Sequence, residues 1–224
     1  MEMDQDHNPG MTDGRLYSLN DMVRVGCGDC KECSACCHGM EGLVLNPKDI
    51  YNLTTHLECS FEELMAGKIK LSVEDGLIVP ALEMNGQEEA CVFLDENGRC
   101  SIHSFRPGIC RLFPLGRSYE GDQIRYIHLL NGCQKPDRTK IKVRKWIDTP
   151  DIEREEVFLV KWHSFQKAAR TEVKNGGAPK KAKSVNLQIL KAFYFTPYDR
   201  EQDFYTQFEE RLSRNPIDKI ASLA

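Results

Sequence analysis

Apolar positions change period along this chain, and the changes divide it. Residues 1–25 show no sustained periodicity and are rich in Asp, Asn and Gly, which predicts a flexible tail with residues 16–25 docking on the body. In "NPKDIYNLTTHL", Asn46 is placed to cap a helix whose first position is Pro47. In "SFEELM", Ser60 and Glu63 form the two halves of a capping box, which predicts a second short helix. After these, short apolar runs take over. "GLIVPALEM" and "ACVFLDENGRCSIH" are strand-like, and the second is broken by turn residues at 95–98, as in a β-hairpin. "GRSYEGDQIRYIHLL" predicts another hairpin turning at Gly121 and Asp122.

Beyond about residue 135 the period lengthens. Phe158, Trp162, Phe165, Ala169 and Val173 recur at spacings of four and three, with Thr149 and Pro150 opening an amphipathic helix. "NGGAPKK" ends it. Two further helices are predicted, over 184–195 and over 199–214, the last with Phe204, Phe208 and Leu212 on one face. Short turn-bounded runs followed by long periodic ones predict an α+β fold: an irregular cysteine-rich loop on a small antiparallel sheet with short helices, then a helical C-terminal region. The expected organisation is a tail over 1–25, a cysteine-cluster domain over 26–134 and a helical subdomain over 135–224.

Composition adds limits. The net charge of -4 and pI of about 5.9 give no global attraction to nucleic acid or an anionic membrane, and neither partner is expected. The acidic, polar N-terminus does not resemble a signal peptide, and no run approaches the length of a membrane span, so a cytoplasmic protein is expected. Thiols stay reduced there, and a dense cysteine cluster then points to metal or catalysis rather than disulfides.

Five of the ten cysteines fall within residues 27–37, in "CGDCKECSACC". Packing several thiolates together is electrostatically costly unless a cation or cluster sits among them. A C-x2-C spacing suits zinc, and C-x2-C-x2-C with one remote cysteine suits a [4Fe–4S] cluster. Cys30, Cys33 and Cys36 fit the second pattern, with Cys91, Cys100, Cys110 and Cys133 as remote candidates. Cys36 and Cys37 are adjacent. Successive side chains diverge by about 100° around a helix and point to opposite faces of a strand, so the two are expected to serve different ends. That expectation allows two neighbouring centres, or one centre and a reactive thiolate.

"CKECSACC" at 30–37, "CVFLDENGRCSIHSFRPGICRLFP" at 91–114 and a later cysteine together resemble the YkgJ-type cysteine-cluster family, a zinc- or iron-chelating domain. The resemblance covers residues 27–133 and implies Cys30, Cys33, Cys36, Cys37, Cys91, Cys100, Cys110 and Cys133 as metal ligands. The same domain is similar to part of the flagellin lysine-N-methylases, which implies an alternative reading as an iron–sulfur enzyme acting on protein lysines. No glycine-rich strand-to-helix turn accompanies it here.

Arg106 and Arg111 are predicted to offset the charge of the thiolates and hydrogen-bond their sulfurs. Cys27, His38 and His103 are reserve ligands. Cys59, just before a capped helix, reads as a small buried hydrophobe. The basic stretch "KPDRTKIKVRK" at 135–145 reads as an edge strand protected by charge. Outside the cysteines no nucleophile, base or cofactor motif stands out. The expected function is a metal-binding protein holding an iron–sulfur cluster or zinc, structural, electron-carrying or metal-handling, whose helical region docks another protein.

Overall fold

The computed structural model describes residues 10–26, 33–40, 42–86, 89–133, 138–175 and 179–217. The fold is α+β, with small antiparallel sheets, several short helices and a helical C-terminal region. Every named strand pair is antiparallel. The chain divides into two compact units that interleave along the sequence: residues 1–43 with 84–160, and residues 44–83 with 161–224.

In the first unit, β1 (Thr12–Tyr17), β8 (Gln123–Leu129) and β7 (Leu115–Glu120) form a sheet in the order β1-β8-β7. β7 and β8 are the predicted hairpin, with Glu120 opposite Gln123 across the two-residue turn Gly121–Asp122. Gly121 has φ +59°, a conformation glycine takes without steric cost. β2 (Met22–Gly26) pairs with β9 (Thr139–Lys142), so the basic stretch is an edge strand over 139–142, while its last three residues, Val143 to Lys145, open a helix instead of continuing the expected strand. Met84–Asn85 (β5) and Ala90–Cys91 (β6) form a short ladder. Gly108–Leu112 (α3), Val143–Ile147 (α4) and the first turns of α5 (Ile152–Asn175) complete the unit. Its core includes Val23, Val25, Ile102, Leu112, Leu115, Tyr126, Ile127 and Phe158. The buried Tyr126 hydroxyl donates to Glu156 at 2.8 Å.

The pairing of Leu16 and Tyr17 with β8 and of Met22–Gly26 with β9 agrees with the expected docking of 16–25, whereas Thr12 to Arg15 lie in a strand where a flexible segment was expected, and residues 1–9 fall outside the described residues. In β2 the alternation is present, with Val23 and Val25 buried between exposed Met22 and Arg24, but it spans only five residues. In β1 the pairing register shifts between Thr12 and Leu16, which breaks the period of two that identifies a strand. Asp13 lies in that irregularity. It accepts from the Tyr17 hydroxyl at 2.6 Å and lies 3.7 Å from His128 Nδ1.

In the second unit, α1 (Pro47–His56) and α2 (Phe61–Met65) both begin with the predicted capping boxes, Asn46 with Asp49 and Ser60 with Glu63. β3 (Ile69–Glu74) and β4 (Leu77–Leu82) form a hairpin on the turn Asp75–Gly76, where both residues have positive φ. The rest of α5, then α6 (Pro179–Leu190), a π-helical turn (Lys191–Phe195) and α7 (Phe204–Arg214) supply an aromatic core. Trp162, Phe165, Phe193 and Phe208 pack with ring centroids 5.1–6.2 Å apart. Among the described residues no helix is long and apolar enough to cross a membrane.

Candidate metal centre

Local backbone pairing brings distant cysteines together. Ala35–Cys37 form a single 3-10 turn, closed by the Cys37 N–H donating to the Ser34 carbonyl at 2.8 Å. The chain leaving it pairs antiparallel with the strand that carries Cys91: His38 bridges Ala90, and Gly39 N–H donates to the Glu89 carbonyl at 3.1 Å. An antiparallel bridge at 38 and 90 places position 37 beside position 91. From Cys91 the chain turns tightly, Leu94 N–H donating to the Cys91 carbonyl, and reaches the Asp95–Gly98 turn expected from sequence. Across that turn Leu94 bridges Cys100, and the Ser101 N–H and hydroxyl both donate to the Phe93 carbonyl. Gly98 has φ +68°, and a Cβ there would stand 3.7 Å from Ser34 Oγ, so the turn lies against the 3-10 turn.

Cys36, Cys37, Cys91 and Cys100 therefore form one neighbourhood, all half-buried thiols. Their electrostatics show it. The Cys37 thiol donates to Cys36, which is chiefly why the Cys36 thiol is pulled down to about 7; the positive charge of Arg106 acts in the same direction. The shared proton stays on Cys37, whose ionisation is pushed strongly up by that bond, by burial, and by the charges of Cys36, Cys91 and Cys100. Cys100 is raised by burial first and further by Cys91 and Cys36, against the Ile102 N–H and Arg106. The four thiols are gathered without being converged: among the described residues no three His, Cys, Asp or Glu side chains are placed to hold one ion.

Successive side chains of a 3-10 turn diverge by about 120°, yet the Cys36 and Cys37 thiols lie close enough to share a hydrogen bond. Of the other predicted ligands, Cys33 lies two residues before the turn. Cys110 lies in α3 and Cys133 follows β8, on elements other than those carrying the four. Cys30 and the reserve candidate Cys27 fall outside the described residues. Cys59 is half-buried and belongs to the other unit, preceding α2.

The two predicted arginines differ in what they touch. Arg106, at the end of the 3-10 turn His103–Phe105, interacts with Cys36 and Cys100 through its charge and is hydrogen-bonded to His103 Nε2. Arg111 donates to the Asp148 carbonyl at 2.8 Å and the Ser104 carbonyl at 2.5 Å, tying α3 to the end of α4 and to the turn that bears His103. The H-x2-R spacing in "HSFRP" was the available signal for the His103–Arg106 contact.

The model of the family CxxCxxCC, described as "Putative zinc- or iron-chelating domain", matches residues 29–145, just over half of the chain. The chain belongs to this family. The match spans the whole thiol neighbourhood and both arginines of the CxxCxxCC protein, and it ends in α4. An uncharacterized protein of Methanocaldococcus jannaschii is 30% identical over 86 residues, which cover 38% of this chain and 43% of that relative. The chain thus spans less than half the length of that curated relative. No solved structure matches.

Proposed function

We propose that this CxxCxxCC protein holds a metal ion through cysteine thiolates drawn from the 36–37 turn and the 91–100 hairpin, zinc being the first reading. The observation that carries it is the side-by-side Cys36–Cys37 pair next to Cys91 and Cys100. Tetrahedral zinc with Zn–S bonds of about 2.3 Å sets neighbouring sulfurs roughly 3.8 Å apart, the separation of thiols in hydrogen-bonding contact. Ligands on separate irons of a cubane stand further apart. The donors fit in kind, as four thiols with a guanidinium beside them offset the charge of a metal tetrathiolate. Bringing them to one point costs the ordering of three chain segments, which metal binding repays.

The second reading is a [4Fe–4S] cluster. The spacing Cys30, Cys33, Cys36 favours it, because three cysteines at that interval with one remote thiol suit a cubane. Bound zinc would supply a cross-link among these segments and a structural or metal-handling role; a cluster would supply electron transfer. Purification of the chain without oxygen, followed by elemental analysis, acid-labile sulfide and an absorption spectrum, separates the readings. Zinc near one per chain with no sulfide supports the first. Iron with matching sulfide and a brown colour supports the second, and protein that takes up neither metal refutes both.

A further inference from the structure

The charge beside the thiols has its own anchor. Arg106 Nη1 donates to His103 Nε2, so that nitrogen acts as acceptor and the ring carries its proton on Nδ1. A lone pair engaged by a guanidinium is not available to a metal, and the other nitrogen of this tautomer has none to offer. His103 sits three residues beyond Cys100 on the 3-10 turn that follows it, close enough in sequence to be read as a ligand. The structure gives it different work. Arg106 Nε is buried and makes no hydrogen bond, while the guanidinium charge acts on Cys36 and Cys100. A buried donor without a partner is costly, and a sulfur carrying negative charge is the acceptor its surroundings supply. Arg111 supports the same turn by holding the Ser104 carbonyl.

We infer that His103 and Arg106 act as a couple outside the ligand set: Arg106 positions and neutralises the metal-bound thiolates, and His103 serves the centre only by holding Arg106. This rests on the metal-thiolate reading above. It deepens that reading by assigning the charge balance of the site. With four thiolates on a divalent ion the centre carries two negative charges, and one fixed guanidinium halves that excess among half-buried thiols.

The test is titration of the full chain with cobalt(II) and zinc under reducing, anaerobic conditions, in wild type, Arg106→Gln, Arg106→Lys and His103→Gln. Cobalt reports ligand identity through its sulfur charge-transfer and visible bands. Expected results are an all-sulfur spectrum and unchanged stoichiometry in every variant. Zinc affinity should fall about 10- to 100-fold in Arg106→Gln, the range for loss of an outer partner, and by less in His103→Gln. Arg106→Lys keeps the charge but not the planar fork, and falls between. A His103→Gln spectrum showing a changed ligand set overturns the inference, as does wild-type affinity in Arg106→Gln. If circular dichroism shows Arg106→Gln unfolded, Arg106→Lys decides: affinity equal to wild type overturns the couple, and weaker binding with an unchanged spectrum supports it. A wild-type chain that binds neither ion removes the metal-centre reading, and this inference with it.

Discussion

Metal affinity should depend steeply on pH, and the thiol neighbourhood sets the slope. Metal is held by thiolates, so each ligand that carries a proton at the working pH must release it, and affinity rises with pH. Cys36 ionises near 7 because Cys37 hydrogen-bonds it, so at that pH about half of it is already thiolate. Cys37 and Cys100 are both raised, by the Cys36 bond and by burial respectively, and each enters the reaction fully protonated. Binding at pH 7 then releases about half a proton from Cys36 and about one from each of the others, roughly 2.5 in all before Cys91 is counted. From these three thiols alone the zinc Kd should fall at least about 300-fold between pH 6.5 and 7.5, and their share of the slope should ease to about two protons above pH 8, where Cys36 is ionised beforehand. Competition against a chelator of known protonation constants, under reducing conditions, measures this directly. A slope of one proton or fewer would show that Cys37 and Cys100 are not drawn in as thiolates, and the four-thiol centre would fail.

Cys37→Ser should abolish stoichiometric zinc, while Cys59→Ser, in the other unit, should leave it intact; metal content after gel filtration tells them apart. Asn186 is 5% exposed, accepts from the Ile78 N–H at 2.6 Å and donates to the Gly76 and Ala182 carbonyls at 2.9 Å each. Asn186→Leu should therefore cost about 2 kcal/mol in urea unfolding, because it leaves half-buried backbone groups of Gly76 and Ile78 unpaired, and a loss below about 0.5 kcal/mol would mean water replaces the side chain. Phe193 is fully buried with Trp162 and Phe165 centroids both 5.1 Å away. Phe193→Ala should lower stability by about 3–5 kcal/mol in the same assay, and a near-neutral result would show that the aromatic cluster collapses around the gap.

Features written in short intervals were legible in advance. Asn46 with Pro47, Ser60 with Glu63, and Gly121 with Asp122 each specify a cap or turn through contacts within four residues, and all three appear as read. The long amphipathic helix was equally plain, although its start lies two residues past Pro150, at Ile152. The later helices shifted more. α6 begins at Pro179 rather than Ser184, and α7 at Phe204 with Asp203 as its cap, because a proline at the first turn and an aspartate cap compete successfully with the loop reading of nearby glycines and polar residues. β1 and β2 were missed because a strand's partner lies far along the chain. β1 pairs with β8 and β2 with β9, more than a hundred residues on, and no local interval records either pairing.

The same division runs through the site. Sequence alone determined the chemical groups on offer: cysteines at fixed intervals and an R-P-x2-C-R segment. Those are properties of residue type and spacing, which survive any folding. Only the tertiary structure decided which thiols meet. Cys91 reaches Cys37 because of one antiparallel bridge, Cys100 reaches Cys91 because a four-residue turn reverses the chain, and Cys36 and Cys37, on one 3-10 turn, share a hydrogen bond whose proton stays on Cys37. His103 changed from a reserve ligand to the anchor of Arg106 for the same reason: the direction of a lone pair is set by what the fold puts in front of it.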